Sequence, residues 1–244
     1  MDYLNEYLFK VIPIKGLELL AAIAGSYFLR NKTNTSKVNK YLVWFLWYTF
    51  INEVIGSYGS IAYFTNYEYF GFIKDTIFER TYWIFNIWQL LFYSFFIYYF
   101  RELLLNYSFK RILRIALILY VIFWVVNLIY DNLLFEVSSL YNGLVGSIFL
   151  LMAIILFYFD LLKSDRVLNI KKYLPIYVSL GVLVFSLCTT PLDIFDQYFN
   201  TENNIYIKLR TSVLLFVNIF MYGAFIIGFL VCVKNKPKTE KSIN

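Results

Sequence analysis

Residues 112–130 read ILRIALILYVIFWVVNLIY, and residues 140–162 read LYNGLVGSIFLLMAIILFYFDLL. Each run is apolar nearly all round, whereas a helix on the surface of a soluble protein keeps one polar face. As a helix, each is long enough to cross a hydrocarbon core about 30 Å thick. Lipid offers the backbone no hydrogen-bond partners, so such a run must satisfy its own N–H and C=O groups as a helix. Working outward, the pattern recurs at 11–29, 41–64, 82–100, 173–194 and 209–233, with charged or polar connectors between the runs. The expectation is an all-α fold: a polytopic membrane protein built as a seven-transmembrane helix bundle over 1–233, with a short basic tail at 234–244. The composition agrees, since 60% of the 244 residues are hydrophobic and 16% charged, against about a quarter charged in soluble domains.

Lysine and arginine set the expected orientation. Sixteen of the 22 fall on one side of the predicted bundle: Arg30, Lys32, Lys37 and Lys40; Arg101, Lys110, Arg111 and Arg114; Lys163, Arg166, Lys171 and Lys172; Lys234, Lys236, Lys238 and Lys241. That side is expected to be cytoplasmic, with the N-terminus outside and the C-terminus inside. The start, MDYLNEYLFK, is acidic and shows no small-residue cleavage site, so the first run reads as a retained helix. The net charge of +6 is then a topological signal that also suits anionic lipid headgroups, and no nucleic acid is expected as a partner.

Several chemistries are unsupported. The chain has no histidine, and its two cysteines, Cys188 and Cys232, are predicted at opposite ends of the bundle. No metal site, haem, iron–sulfur cluster or other cofactor is expected. Seven spans suggest an opsin, but 209–233 contains no lysine for a Schiff base, so no retinal is expected. No catalytic constellation stands out, and an enzyme is not expected.

Polar residues at membrane depth are the informative ones. In the second span Glu53 is near the middle, beside Asn52, with Gly56, Ser57 and Ser60 on its face. The third span carries a stripe of Tyr82, Asn86, Gln89 and Tyr93. The seventh carries Thr211, Asn218 and Tyr222, and the sixth Ser179, Ser186, Thr190 and Asp193. The first holds Glu18 with Ala21, Ala22 and Gly25, and Lys15 one turn earlier as a pairing partner. The candidate ligand-binding or coupling set is Glu53, Asn52, Asn86, Gln89, Asn218, Tyr93, Tyr222, Glu18 and Asp193. These concentrate from the midplane outward, which implies a cavity open to the outside and a drier cytoplasmic half. The bland alternative for the amides is interhelical glue. The fourth span is the most apolar and is expected to face lipid most, and Asp160 reads as an interfacial charge.

Asn52-Glu53, followed by Ile84-Phe85-Asn86 and Gln89-Leu90-Leu91-Phe92, resembles the small seven-span proteins common in Bacteroidota. The resemblance covers the second and third spans. It implies a bacterial inner-membrane home and supplies no chemistry.

Three functions stay open at this level. A sensory or accessory protein would bind a small ligand, lipid or partner helix in the outer half and act through a separate protein partner, the tail being too short for an output domain. A transporter or channel would use Glu53 as its coupling carboxylate. A structural subunit would use the same polar groups for packing.

Overall fold

The computed structural model describes residues 2–32, 35–131, 134–135, 139–195 and 204–234, with side chains described from Val11 onward except at 130, 131, 204 and 234. The expected tail beyond 234 lies outside these residues. Eight α-helices follow in order: α1 (Asp2–Asn31), α2 (Lys37–Gly56), α3 (Tyr58–Phe64), α4 (Tyr82–Leu103), α5 (Tyr107–Asp131), α6 (Leu140–Leu162), α7 (Leu174–Phe195) and α8 (Asn204–Lys234). Two short 3₁₀ segments, Gly71–Ile73 and Asp165–Lys172, lie in connectors, and no strand occurs among the described residues. The protein is a multi-pass helical membrane protein. Among the described residues six helices are long and apolar enough to cross a bilayer: α1 and α4 to α8.

Two expectations about the elements change. Several helices overrun the predicted spans, because polar and interfacial residues continue a helix as well as apolar ones do; α8 starts at Asn204 and α5 at Tyr107. The predicted second span, 41–64, is two helices that meet at Ser57. Its first part is also less apolar than the other spans, since Tyr, Trp, Asn and Glu interrupt its aliphatic residues.

The helices form a ring. α1 packs on α2 and α8, α2 on α4, α4 on α5 and α6, α6 on α7, and α7 on α8. The α7–α8 pair is the closest, and glycines make it so. A Cβ on Gly181 would stand 3.1 Å from the Met221 carbonyl oxygen, and one on Gly228 2.7 Å from Tyr177 Cβ. Close approach through small residues is how helices gain contact where lipid removes the hydrophobic drive. As expected for the fourth span, α5 is the least buried of the six.

At the end where the basic connectors lie, the interior is dry and aromatic. Phe28, Tyr99, Phe100, Phe157 and Phe229 are essentially inaccessible, and their rings meet in pairs such as Phe28–Phe229 and Phe100–Phe157, each 5.4 Å between centroids. The Tyr99 hydroxyl leaves this core by donating to Asn39 Oδ1 at 3.1 Å.

Asp160 closes the turn between α4 and α5. Its carboxylate accepts from the amides of Leu105 at 2.6 Å and Asn106 at 3.1 Å, while Asn106 Oδ1 caps α5 through the amides of Ser108 and Phe109. The residue is buried, so the interfacial role read from the sequence gives way to a structural one. An anionic acceptor for two otherwise orphaned amides is worth about 1.5–3 kcal/mol per bond. Asp160→Ala should therefore lower stability by about 2–4 kcal/mol, with Asp160→Asn in between. Reversible unfolding in detergent, scored by the order of the two variants, checks this.

Candidate functional site

The break in the second span originates in the first. Lys15 on α1 extends its ammonium to α2, donating to the Glu53 carbonyl oxygen at 2.9 Å and to Ser57 Oγ. Ser57 Oγ donates to the same carbonyl at 2.9 Å. In an unbroken helix that carbonyl would accept from the Ser57 amide. Here the amide bonds to Val54 O at 3.3 Å instead, and a separate helical segment, α3, starts at Tyr58. Side chains inserted into the hydrogen-bond ladder are an established cause of kinks.

Around this break α1 and α2 bring ionisable groups to membrane depth, and α8 adds a tyrosine hydroxyl. Glu18 on α1 is only 3% exposed; its Oε1 accepts from the Tyr222 hydroxyl of α8 at 3.2 Å, and its Oε2 has no hydrogen-bond partner among the described residues. Glu18, Glu53 and Lys15 all lie within electrostatic reach of one another. The expected pairing of Lys15 with Glu18 along α1 is replaced by hydrogen bonds across to α2. Two carboxyl groups thus lie near one ammonium, whose hydrogen bonds go to the Glu53 carbonyl and Ser57 Oγ. Ala21 and Ala22 on the same side of α1 are completely buried, and a Cβ on Gly25 would meet Val43 at 2.8 Å, so small residues draw the helices together next to this cluster.

On the other side of the break lies an apolar pocket of about 530 Å³, lined by Val54 and Ile55 of α2, Tyr58 of α3, Phe70 and Phe78 of the connector, and Trp83 of α4. The connector 65–81 is a built structure. The Tyr58 hydroxyl donates to Phe78 O at 2.7 Å and accepts from Trp83 Nε1 at 3.1 Å. Tyr67 donates to Glu79 Oε1 at 2.6 Å, and Glu79 Oε2 accepts from the Asp75 amide at 3.1 Å. Tyr67 holds a left-handed backbone, φ 62°, as do Asn66 and Asp75. Asparagine and aspartate tolerate that region, but a tyrosine there needs support. The Tyr67 amide bond to Ala62 O at 2.8 Å, which closes α3, supplies it along with the Glu79 contact.

The remaining candidates do not join one chamber. Asn86 binds backbone: its Nδ2 donates to Leu134 O at 3.1 Å and its Oδ1 accepts from the Ser139 amide at 3.2 Å. Asn127 Nδ2 donates to Ser139 Oγ, the cap of α6, at 2.9 Å. Asn218 turns back to Leu214 O in its own helix at 2.8 Å. Asn52 Oδ1 accepts from the Tyr48 hydroxyl at 3.4 Å. Gln89 and Asp193 do converge, on the bare backbone of Gly143, where a Cβ would stand 2.9 Å from Gln89 Nε2 and 4.0 Å from Asp193 Oδ2. Tyr93 is within electrostatic reach of Asp193 and packs edge-on against Tyr120 at 5.9 Å. Beside them Asn142 is wholly buried, and both of its side-chain polar atoms lack partners among the described residues. The sequence reading missed Asn142, Lys15 as the cause of a kink, and the pocket. Its only signals were an amide one turn into an apolar run, a lysine within a span, and the density of Phe and Tyr in 65–81.

The connector contact has a pH dependence. Tyr67, then the Asp75 amide and the nearby Arg80 and Lys74, hold the half-buried Glu79 carboxyl below the usual carboxylate range, and the same bond pushes the Tyr67 phenol up. A carboxyl more acidic when folded contributes fully above its free pKa of about 4 and loses that contribution as pH falls below it. Tyr67→Phe should raise the pH at which the connector opens during acidification. The onset of pepsin cleavage within 66–79, compared between the two proteins, measures this; equal onsets would remove Glu79 as the clasp.

No protein-family model, curated protein or solved structure matches this chain.

Proposed function

We propose that this is a seven-span sensory or accessory protein of a bacterial inner membrane, which binds a small apolar ligand or lipid at its outer end and acts through a separate protein partner. The observation that carries the reading is that the pocket straddles the kink. Val54 and Ile55 line it before Ser57, and Tyr58 and Ile61 line it after. The kink is held by Lys15 from α1, next to carboxylates shared with α8. An occupant that alters the bend would therefore shift α1 and α8 against α2. The pocket volume of about 530 Å³ falls within the range of small-molecule sites.

The seven-span topology is part of this proposal. α2 has 20 residues, and its length of about 30 Å matches the hydrocarbon core. Counting it as a span puts the connectors after α1, α4 and α6 together on the basic side, which the lysine and arginine bias makes cytoplasmic.

The tagged protein, crosslinked in native membranes and purified for proteomics, should retain a stoichiometric partner; recovery of the bare bundle would remove the transducer half of the proposal. Ile55→Trp should fill the pocket, so apolar molecules extracted from the purified wild type should be lost from this variant. Equal recovery from both would remove the ligand half.

One observation favours a second reading, ion-coupled transport. Two carboxyl groups lie near one ammonium at membrane depth, and such ionisable groups mark proton or cation paths in membranes. In proteoliposomes under a pH gradient, a transporter would show solute flux that Glu53→Gln abolishes, whereas a sensor would show none in either protein.

A further inference from the structure

At the basic end, remote from the kink, a second cavity of about 370 Å³ opens between the ends of α1 and α4 and the starts of α2 and α7. Three cations line it: Lys32, Arg166 and Lys172. None of them forms an ion pair among the described residues. The acid that lines the cavity, Glu102, is taken by Arg101 at 2.5 Å. Its carboxylate is thus neutralised from outside the three-cation set.

Two of the three cations are held by contacts of their own. Arg166 Nη1 donates to Leu103 O at 2.8 Å and to the Tyr173 hydroxyl at 3.3 Å, and its guanidinium carbon lies 5.9 Å from the Tyr173 ring centroid. These contacts fix the plane of the guanidinium while using only one of its nitrogens, so the others keep donors for an anion. Lys32 Nζ lies 5.3 Å from the Phe28 ring centroid. The first turn of α2, capped by Ser36, adds the positive end of a helix to the same wall. Below the cations the wall becomes apolar, with Val38, Leu103 and Leu174.

We infer that this cavity binds the phosphate of an anionic phospholipid, with Lys32, Arg166 and Lys172 as its ligands. Arginine and lysine against a phosphate are the strong, charge-assisted kind of hydrogen bond. The apolar lower wall suits the glycerol and first methylenes of a lipid better than a free ion, and a basic pocket between helices is the usual headgroup receptor. The inference does not depend on the outer pocket or on any partner.

The test uses the full chain in nanodiscs of phosphatidylcholine, with and without phosphatidylglycerol, and reads retained lipid by native mass spectrometry and thermal unfolding. Phosphatidylglycerol should raise the unfolding midpoint and leave a tightly held adduct. Lys32→Gln/Lys172→Gln should weaken that adduct roughly tenfold. The control Lys110→Gln/Arg111→Gln removes two cations from α5, outside the cavity, and should keep it. Equal midpoints in pure phosphatidylcholine establish that both variants fold. Equal loss in the two variants, or no effect of phosphatidylglycerol, overturns the site. A midpoint rise from inorganic phosphate in pure phosphatidylcholine, matching that from the lipid, overturns the lipid as occupant in favour of a free anion.

Discussion

The half of the molecule away from the basic connectors depends on where one lysine finds its hydrogen bonds. An ammonium within a span costs about 2.5–3.5 kcal/mol when nothing compensates it, while a single backbone hydrogen bond contributes about 0.5–1.5 kcal/mol. Lys15 therefore gains more by taking the Glu53 carbonyl than α2 loses by surrendering it. Ser57 completes the exchange, since its hydroxyl bonds the same carbonyl while its amide moves to Val54 O. The consequence is a break at Ser57, with apolar side chains from both segments lining one pocket together with Phe70, Phe78 and Trp83.

The two ends of the bundle are built on opposite principles. At the basic end aromatic rings fill the interior, and polar groups serve the backbone, as Asp160 does for Leu105 and Asn106. Toward the other end, buried polar groups face each other across helices: Glu18 with Tyr222, and Gln89 and Asp193 around Gly143. Interhelical bonds of this kind are worth about 0.6–2 kcal/mol each. They are strong enough to specify a packing and weak enough to exchange.

The helical membrane class was legible because apolar runs of bilayer length leave the backbone a single solution. The dry basic end and the exposure of α5 were legible too, from where polar residues thin out. The kink was hidden because its cause lies on another helix, 38 residues earlier in the chain. The amides show a different limit. Asn86, Gln89 and Asn218 have one chemistry, yet Asn86 holds a loop, Asn218 bonds within its own helix, and Gln89 faces a carboxylate across α6. Spacing places an amide on a face, and what it meets there depends on neighbours that only the packing supplies. The connector 65–81 looked like a polar loop because its order rests on Tyr58, Tyr67 and Glu79 meeting across 12 to 20 residues.

Continuity of the other helices bears on which function the bend serves. Pro191 lies within the last turns of α7 and Pro13 within the early turns of α1, and neither ends its helix. α4, α5, α6 and α8 contain no proline at all. Alternating access in many transporters uses helices broken near the bilayer midplane, whereas the interruption here lies past the charged cluster, beside the pocket. The aromatic layer between α4 and α8 is continuous, with the Phe96 ring 4.9 Å from Phe92 and 6.4 Å from Phe225 between centroids. The Lys15–Glu53 contact joins the α2 wall of the pocket to α1, and the Tyr222–Glu18 bond joins α1 to α8, so the proposed response to an occupant would run through these bonds.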